Sequence, residues 1–199
     1  MVRRSADERR EELLEAAIKV MIRDGVAKAT TRTIVAEAGL PLGAFHYCFR
    51  SKEELLHSVI ERITQGALAP AVAAATSVEG VPVADIVRDT LRVYWDRIRA
   101  TPDEHLLTYE LTQYALRQSG LSEVARRQYG HYLAVNAESL ATMARLAGFA
   151  WTVPLPTLAR YGLAVLDGLT LNWLIDRDDE AAGAALDEYA AYLVSVARY

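Results

Sequence analysis

Between Thr30 and Arg50 the chain reads TTRTIVAEAGLPLGAFHYCFR, two short segments of helical periodicity separated by Gly39-Leu40-Pro41. The spacing of apolar residues predicts one helix over roughly 31–38 and a second over about 42–49. Gly39 supplies the backbone freedom that the turn between them needs. Ile34, Ala38, Leu40, Phe45 and Phe49 fall where they would pack the two helices together and onto a preceding one. Two short helices joined in this way cross steeply, a geometry that sets the second into the major groove of DNA. Gly43 and Ala44, near its start, would let its backbone approach base edges and phosphates closely. Phe45 reads as core and Tyr47 as outward-facing, while His46 reads either as a contact or as a solvent histidine.

The same periodicity extends in both directions, and no stretch alternates with period two for long. Leu13, Leu14, Ala17, Ile18 and Met21 define the inner face of a first helix, which Gly25 ends. Ser51-Lys52-Glu53-Glu54 has the form of a capping box, so a fourth helix starts there and runs to about Ala69. After a break at Gly80-Val81-Pro82, helices are expected over roughly 82–100, 103–118, 121–147, 155–176 and 180–197. The expected fold is all-α, with a composition shift near residues 50–55 as the domain boundary. Residues 1–51 would form a three-helix helix-turn-helix DNA-binding domain, and 52–199 a helical domain entered through the fourth helix.

Hydrophobic residues make up 52% and charged residues 24% of the 199, enough to bury a sizeable core and too apolar for a disordered chain. The net charge of −4 alone argues against a nucleic-acid binder, but its distribution does not. Residues 1–50 carry 9 basic against 7 acidic side chains, and the remainder 13 against 19. A mildly basic head on an acidic body suits a protein that presents one end to phosphate. The single cysteine, Cys48, excludes an internal disulfide and reads as packing in preference to a redox sensor. No signal peptide or membrane-length apolar run is visible, so a soluble cytoplasmic protein is expected. His57, His105 and His131 are scattered without ligand spacing, and neither a metal site nor a cofactor is expected. No Ser/His/Asp set, paired-carboxylate motif or Gly-rich phosphate loop supports an enzyme.

From Leu13 to Leu56 the sequence resembles the TetR family of bacterial regulators. The resemblance rests on the amphipathic first helix, the T-T-x-x-I-x-x-x-A-G second helix, the turn and third helix ending at Phe49, and the S-K-E-E-L opening of the fourth. It implies that Thr31 and Arg32 face the backbone or groove edge, and that Pro41, Leu42, Gly43 and Ala44 open the recognition helix against base edges. His46 and Tyr47 would contact phosphate or bases. Lys52 would meet a phosphate at a helix start, where ammonium and free amides both favour an anion. Pro41 stands where a hydroxyl residue is usual, so a side-chain cap is expected to be missing. Leu42 replaces a frequent polar residue and suggests contact with a thymine methyl. Cys48 replaces a more usual Tyr or His.

Beyond Leu56 only length and helical pattern match the family. The resemblance implies a ligand cavity there, and the inner stripes hold polar groups that call for partners. The expected lining is Tyr94, Trp95, Tyr109, Glu110, Gln113, Tyr132, Asn136 and Trp173, suited to an apolar or aromatic organic molecule with a few polar groups. An ordinary core with internally satisfied polar groups is the competing reading. The last two helices, about 155–176 and 180–197, carry apolar residues on two sides, and the resemblance implies that they form a homodimer as a four-helix bundle. The function expected is a regulator of operator DNA, a repressor released by a small organic effector. An activator, a ligand-independent regulator of the same fold, and a helix-turn-helix serving protein contacts only are the alternatives.

Overall fold

The computed structural model describes residues 5–74 and 81–199, with the backbone alone over 64–74. Among these residues the helices are α1 (Ala6–Asp24), α2 (Thr31–Glu37), α3 (Leu42–Cys48), α4 (Lys52–Ala74), α5 (Val83–Ala100), α6 (Pro102–Arg117), α7 (Ser122–Ala147), α8 (Leu155–Asp176) and α9 (Asp179–Ser195). A 3-10 turn, Val26–Lys28, follows α1, and two short strands, β1 (Ala150–Trp151) and β2 (Ala197–Arg198), pair antiparallel. The all-α architecture expected from the periodicity is the one observed. The chain divides into two compact units, Met1–Thr64 with Asp103–Gln128, and Gln65–Pro102 with Tyr129–Tyr199.

In the first unit, helix starts are fixed by side chains that satisfy otherwise orphaned N–H groups. The Ser5 hydroxyl accepts the Glu8 N–H at 3.1 Å while the Glu8 carboxylate accepts the Ser5 N–H at 2.6 Å. Thr30 and Thr33 form the same reciprocal pair at the start of α2. At α4 the Ser51 hydroxyl accepts the Glu54 N–H at 3.2 Å, and the Glu54 carboxylate reaches back to the Arg50 N–H at 2.9 Å. Pro41 caps α3 without a side-chain hydrogen bond, as its missing hydroxyl leads one to expect. Between α2 and α3, Gly39 adopts φ 63°, a left-handed backbone that strains any residue with a Cβ. Leu13, Ala17, Val20 and Met21 of α1 are buried with Ile34, Phe45, Phe49, Leu55 and Val59. Leu107, Leu111 and Ala115 of α6 complete that core.

The second unit buries Ile86, Val87 and Leu91 of α5 with Leu140, Met143, Leu158, Tyr189 and Leu193. A further cluster joins Trp95 and Ile98 to Trp173, Ala182 and Leu186. Gly162 permits this packing, since a Cβ there would meet the Tyr189 hydroxyl and the Asn136 amide. The two strands tie the chain end to the α7–α8 connection, where the Thr152 N–H donates to the Val196 carbonyl at 2.8 Å. Two-residue strands carry no readable period, which is why the sequence did not announce them.

Helix α4 extends to Ala74, beyond the expected end near Ala69. Alanines on both sides of Pro70 have the highest helix propensity, and they carry the helix across a residue that removes one hydrogen bond. The expected break at Gly80 lies outside the described residues. Among the described residues, no helix is long and apolar enough to cross a membrane, and no group of three or more His, Cys, Asp or Glu could hold a metal ion.

Candidate functional site

The seven residues of α3 divide sharply by exposure. Ala44 and Phe45 turn inward, 8% and 2% exposed, and Phe49 just beyond the helix is 1% exposed. Leu42 is 45% exposed and Tyr47 is 70% exposed, with Gly43 and His46 also open to solvent. A helix of this length cannot hold itself in water, so its orientation comes from the packed side. The Phe45 and Phe49 rings lie 5.7 Å apart, and Phe45 also meets His46 edge-on at 5.6 Å. Leu42 and Tyr47 thus stand exposed over the buried Phe45 and Phe49.

Around α3, Arg32 is exposed on α2 and Thr31 half-buried. Pro41 is exposed at the turn. Lys52 begins α4 as expected, but its ammonium lies 5.6 Å from the Tyr114 ring of α6. Burial lowers its pKa from the usual lysine range. Of the residues expected to meet DNA, the outer face therefore brings together Leu42, Gly43, His46 and Tyr47, while Ala44 lies beneath it.

Arg10 was not foreseen, and it holds this arrangement. Its guanidinium donates to the Cys48 carbonyl at 2.7 Å and to Ser58 Oγ at 2.8 Å, pairs with Glu54 at 3.2 Å, and lies 4.2 Å from the Phe49 ring. The end of α3 is thereby pinned to α1 and α4. In the sequence Arg10 is one of several charges at the start of an amphipathic helix, and nothing local distinguishes it.

The residues expected to line a ligand cavity fall in both units. Tyr109, Glu110 and Gln113 belong to the first. There the Glu110 carboxylate accepts the Val26 N–H at 2.8 Å, which accounts for an acidic residue at that position of α6. Gln128, another polar residue of the inner stripes, is buried in the same unit and accepts the Thr112 hydroxyl at 3.1 Å. In the second unit, the Trp95 and Trp173 rings meet edge-on at 5.7 Å, and Trp173 Nε1 donates to Asp179 at 2.8 Å. The Asn136 amide donates to the Ala159 carbonyl at 3.0 Å. Tyr94 and Thr170 hydroxyls lie 3.4 Å apart. Tyr132 stacks edge-on with Tyr129, whose hydroxyl donates to Asp167 at 3.0 Å. Asp167 was also missed, although it is the one charged residue between Arg160 and Asp176 in an otherwise apolar helix. An open apolar cleft of about 590 Å³ beside Phe149, Trp151 and Leu155 shares no residue with this group.

A helix-turn-helix whose second helix is packed on one side and bare on the other, followed in sequence by a larger helical part, defines a DNA-binding transcriptional regulator. Residues 13–59 match the family model described as bacterial regulatory proteins, tetR family. The nicotine-responsive transcriptional repressor HdnoR of Paenarthrobacter nicotinovorans is 28% identical over 178 residues, covering 89% of this chain and 90% of its own. The multidrug binding protein EbrR, solved with imidazole, is 31% identical with a TM-score of 0.69, covering 94% of this chain and 89% of its own. The TetR-family member SCO1917 of Streptomyces coelicolor A3 is 30% identical with a TM-score of 0.73, covering 94% and 98%. The chain belongs to the TetR family, whose members bind operator DNA, usually as dimers and with small-molecule ligands.

Proposed function

We propose that this regulator is a repressor, bound to a partly palindromic operator as a homodimer and released by a small organic molecule. The observation that carries the DNA-reading part is the bare outer face of α3, with Leu42, Gly43, His46 and Tyr47 side by side on a buried phenylalanine base. Leu42 suits a thymine methyl, and Tyr47 and His46 suit phosphate or base edges. Thr31, Arg32, Pro41 and Lys52 flank that face. Repression and release are supported by relatives: HdnoR is named a nicotine-responsive repressor, and EbrR has been solved with ethidium as well as imidazole. Both names point toward small aromatic nitrogen compounds as the ligand class.

The dimer would form through α8 and α9. Tyr161, Ala164, Gly168, Leu171 and Ile175 are exposed at alternating intervals of three and four along α8, an apolar seam on a helix already buried on its other side. Ala184 and Ala191 continue small residues along the exposed side of α9. Release requires the ligand to favour the conformation that binds DNA weakly, since equal affinity for both would shift nothing. Helix α4 begins at Lys52 and continues into the sequence of the second unit, so a ligand-driven displacement along it would change the spacing of the two recognition helices.

Operator-complex titration by fluorescence anisotropy with a panel of aromatic amines tests the release. At least one compound is expected to lower operator affinity by tenfold or more, on the order of 1.4 kcal/mol of coupling. An operator dissociation constant unmoved by every compound that binds the protein would overturn it.

A further inference from the structure

Helix α8 carries a single charge, Asp167, along the 15 residues from Tyr161 to Ile175. Its carboxylate is half-buried and accepts the Tyr129 hydroxyl at 3.0 Å. The Tyr129 ring meets that of Tyr132 at 5.8 Å with an interplanar angle of 73°. One turn along α8, buried Thr170 lies 3.4 Å from the Tyr94 hydroxyl. Three helices, α5, α7 and α8, thus gather Tyr129 on the carboxylate, Tyr132 against Tyr129, and Tyr94 one turn along at Thr170. Tyr129, Tyr132 and Asp167 are each half-buried, so none of the three is sealed in the core.

The electrostatics fit the geometry. Burial holds the Asp167 carboxyl above the usual carboxylate range against the opposing hydrogen bond from Tyr129. Burial, reinforced by the charge of Asp167, pushes the Tyr94 hydroxyl up to about 12, so it stays a neutral donor. A negative charge in partly desolvated surroundings attracts a cation far more strongly than it would in water. Tyrosine faces add an attraction of their own to a cation within reach of the ring.

We propose that Asp167, with Tyr94, Tyr129 and Tyr132, anchors an organic cation, the carboxylate taking the positive charge and the tyrosine rings its aromatic or aliphatic body. This rests on the reading of the second unit as the ligand-binding part of a releasable repressor, and it names the class of ligand that part selects. A neutral molecule of the same shape gains only the ring contacts, so charge itself is the selected property.

Isothermal titration calorimetry on the full chain, above neutral pH, compares N-methyl-para-phenylpyridinium with uncharged para-phenylpyridine. The cation is expected to bind at least about tenfold more tightly. Asp167→Asn keeps an acceptor for Tyr129 and removes the charge. It should abolish that preference while leaving affinity for the neutral compound within about twofold, and Asp167→Glu should restore the preference. Equal affinities in the wild type overturn the proposal without recourse to any variant, as does an Asp167→Asn loss shared by both compounds. Operator anisotropy with the same pair separates this from the repressor reading. Cation binding that depends on Asp167 but leaves the operator complex intact overturns release and keeps the site. Release by both compounds alike overturns the site and keeps release.

Discussion

At the end of α3 the Cys48 carbonyl has no helical donor, and Arg10 provides one at 2.7 Å while also reaching Ser58. Arg10→Met keeps an unbranched apolar stem and loses both the donors and the guanidinium over Phe49. It should lower stability by about 1–2 kcal/mol and operator affinity by roughly tenfold, read by thermal melting and anisotropy. Glu110 does comparable work for the turn after α1. Val26 is fully buried, so Glu110→Ala leaves its N–H without the carboxylate and should cost about 1–3 kcal/mol, whereas Glu110→Gln, which keeps an acceptor, should cost less. Amide exchange at Val26 reports the difference directly. Asp167 acts in the opposite sense on stability. Its folded pKa is raised by burial among Tyr94, Tyr129 and Tyr132, so folding is penalised once pH rises through that pKa. Asp167→Asn should therefore raise the melting temperature at neutral pH. The gain should vanish at about pH 3, where the acid is protonated both folded and unfolded.

At the scale of elements, α2 and α3 are too short to persist alone, and the starts of α1, α2 and α4 are held by side-chain caps. Thr30→Ala removes one half of the reciprocal pair that opens α2 and should cost about 1 kcal/mol, measured by chemical denaturation. Most of these elements were legible beforehand because apolar spacing, Gly25, Gly39 and Ser51 are local signals acting on neighbouring residues. The inner residues Ile34, Phe45 and Phe49 were legible for the same reason. What was not legible depends on residues distant in sequence. Arg10 reaches Cys48 and Ser58, Glu110 reaches Val26, and Tyr129 reaches Asp167 across 38 positions. A polar residue in an apolar stripe signals that a partner exists without saying which one, and Glu110, expected in the cavity lining, accepts the Val26 N–H. The two-residue strands left no pattern at all.

At the scale of the molecule, the proposed account needs two recognition helices held in fixed register by a dimer. Ile175 is 76% exposed and Leu171 43% exposed on the α8 seam. Leu171→Glu with Ile175→Glu places charge where two apolar faces would meet. Sedimentation should then report a monomer, and operator affinity should fall by at least about tenfold as the second half-site contact is lost. The outer face of α3 is proposed to read DNA. Fluorescence anisotropy against DNA from immediately upstream of the chain's own gene, across a series of salt concentrations, tests it most directly with Tyr47→Ala measured in parallel. If that face reads DNA, binding will be saturable and well above that to random DNA, will fall steeply with salt, and will weaken by about tenfold or more in the variant. Binding that is independent of salt, or a Tyr47→Ala variant indistinguishable from the wild type, would contradict it.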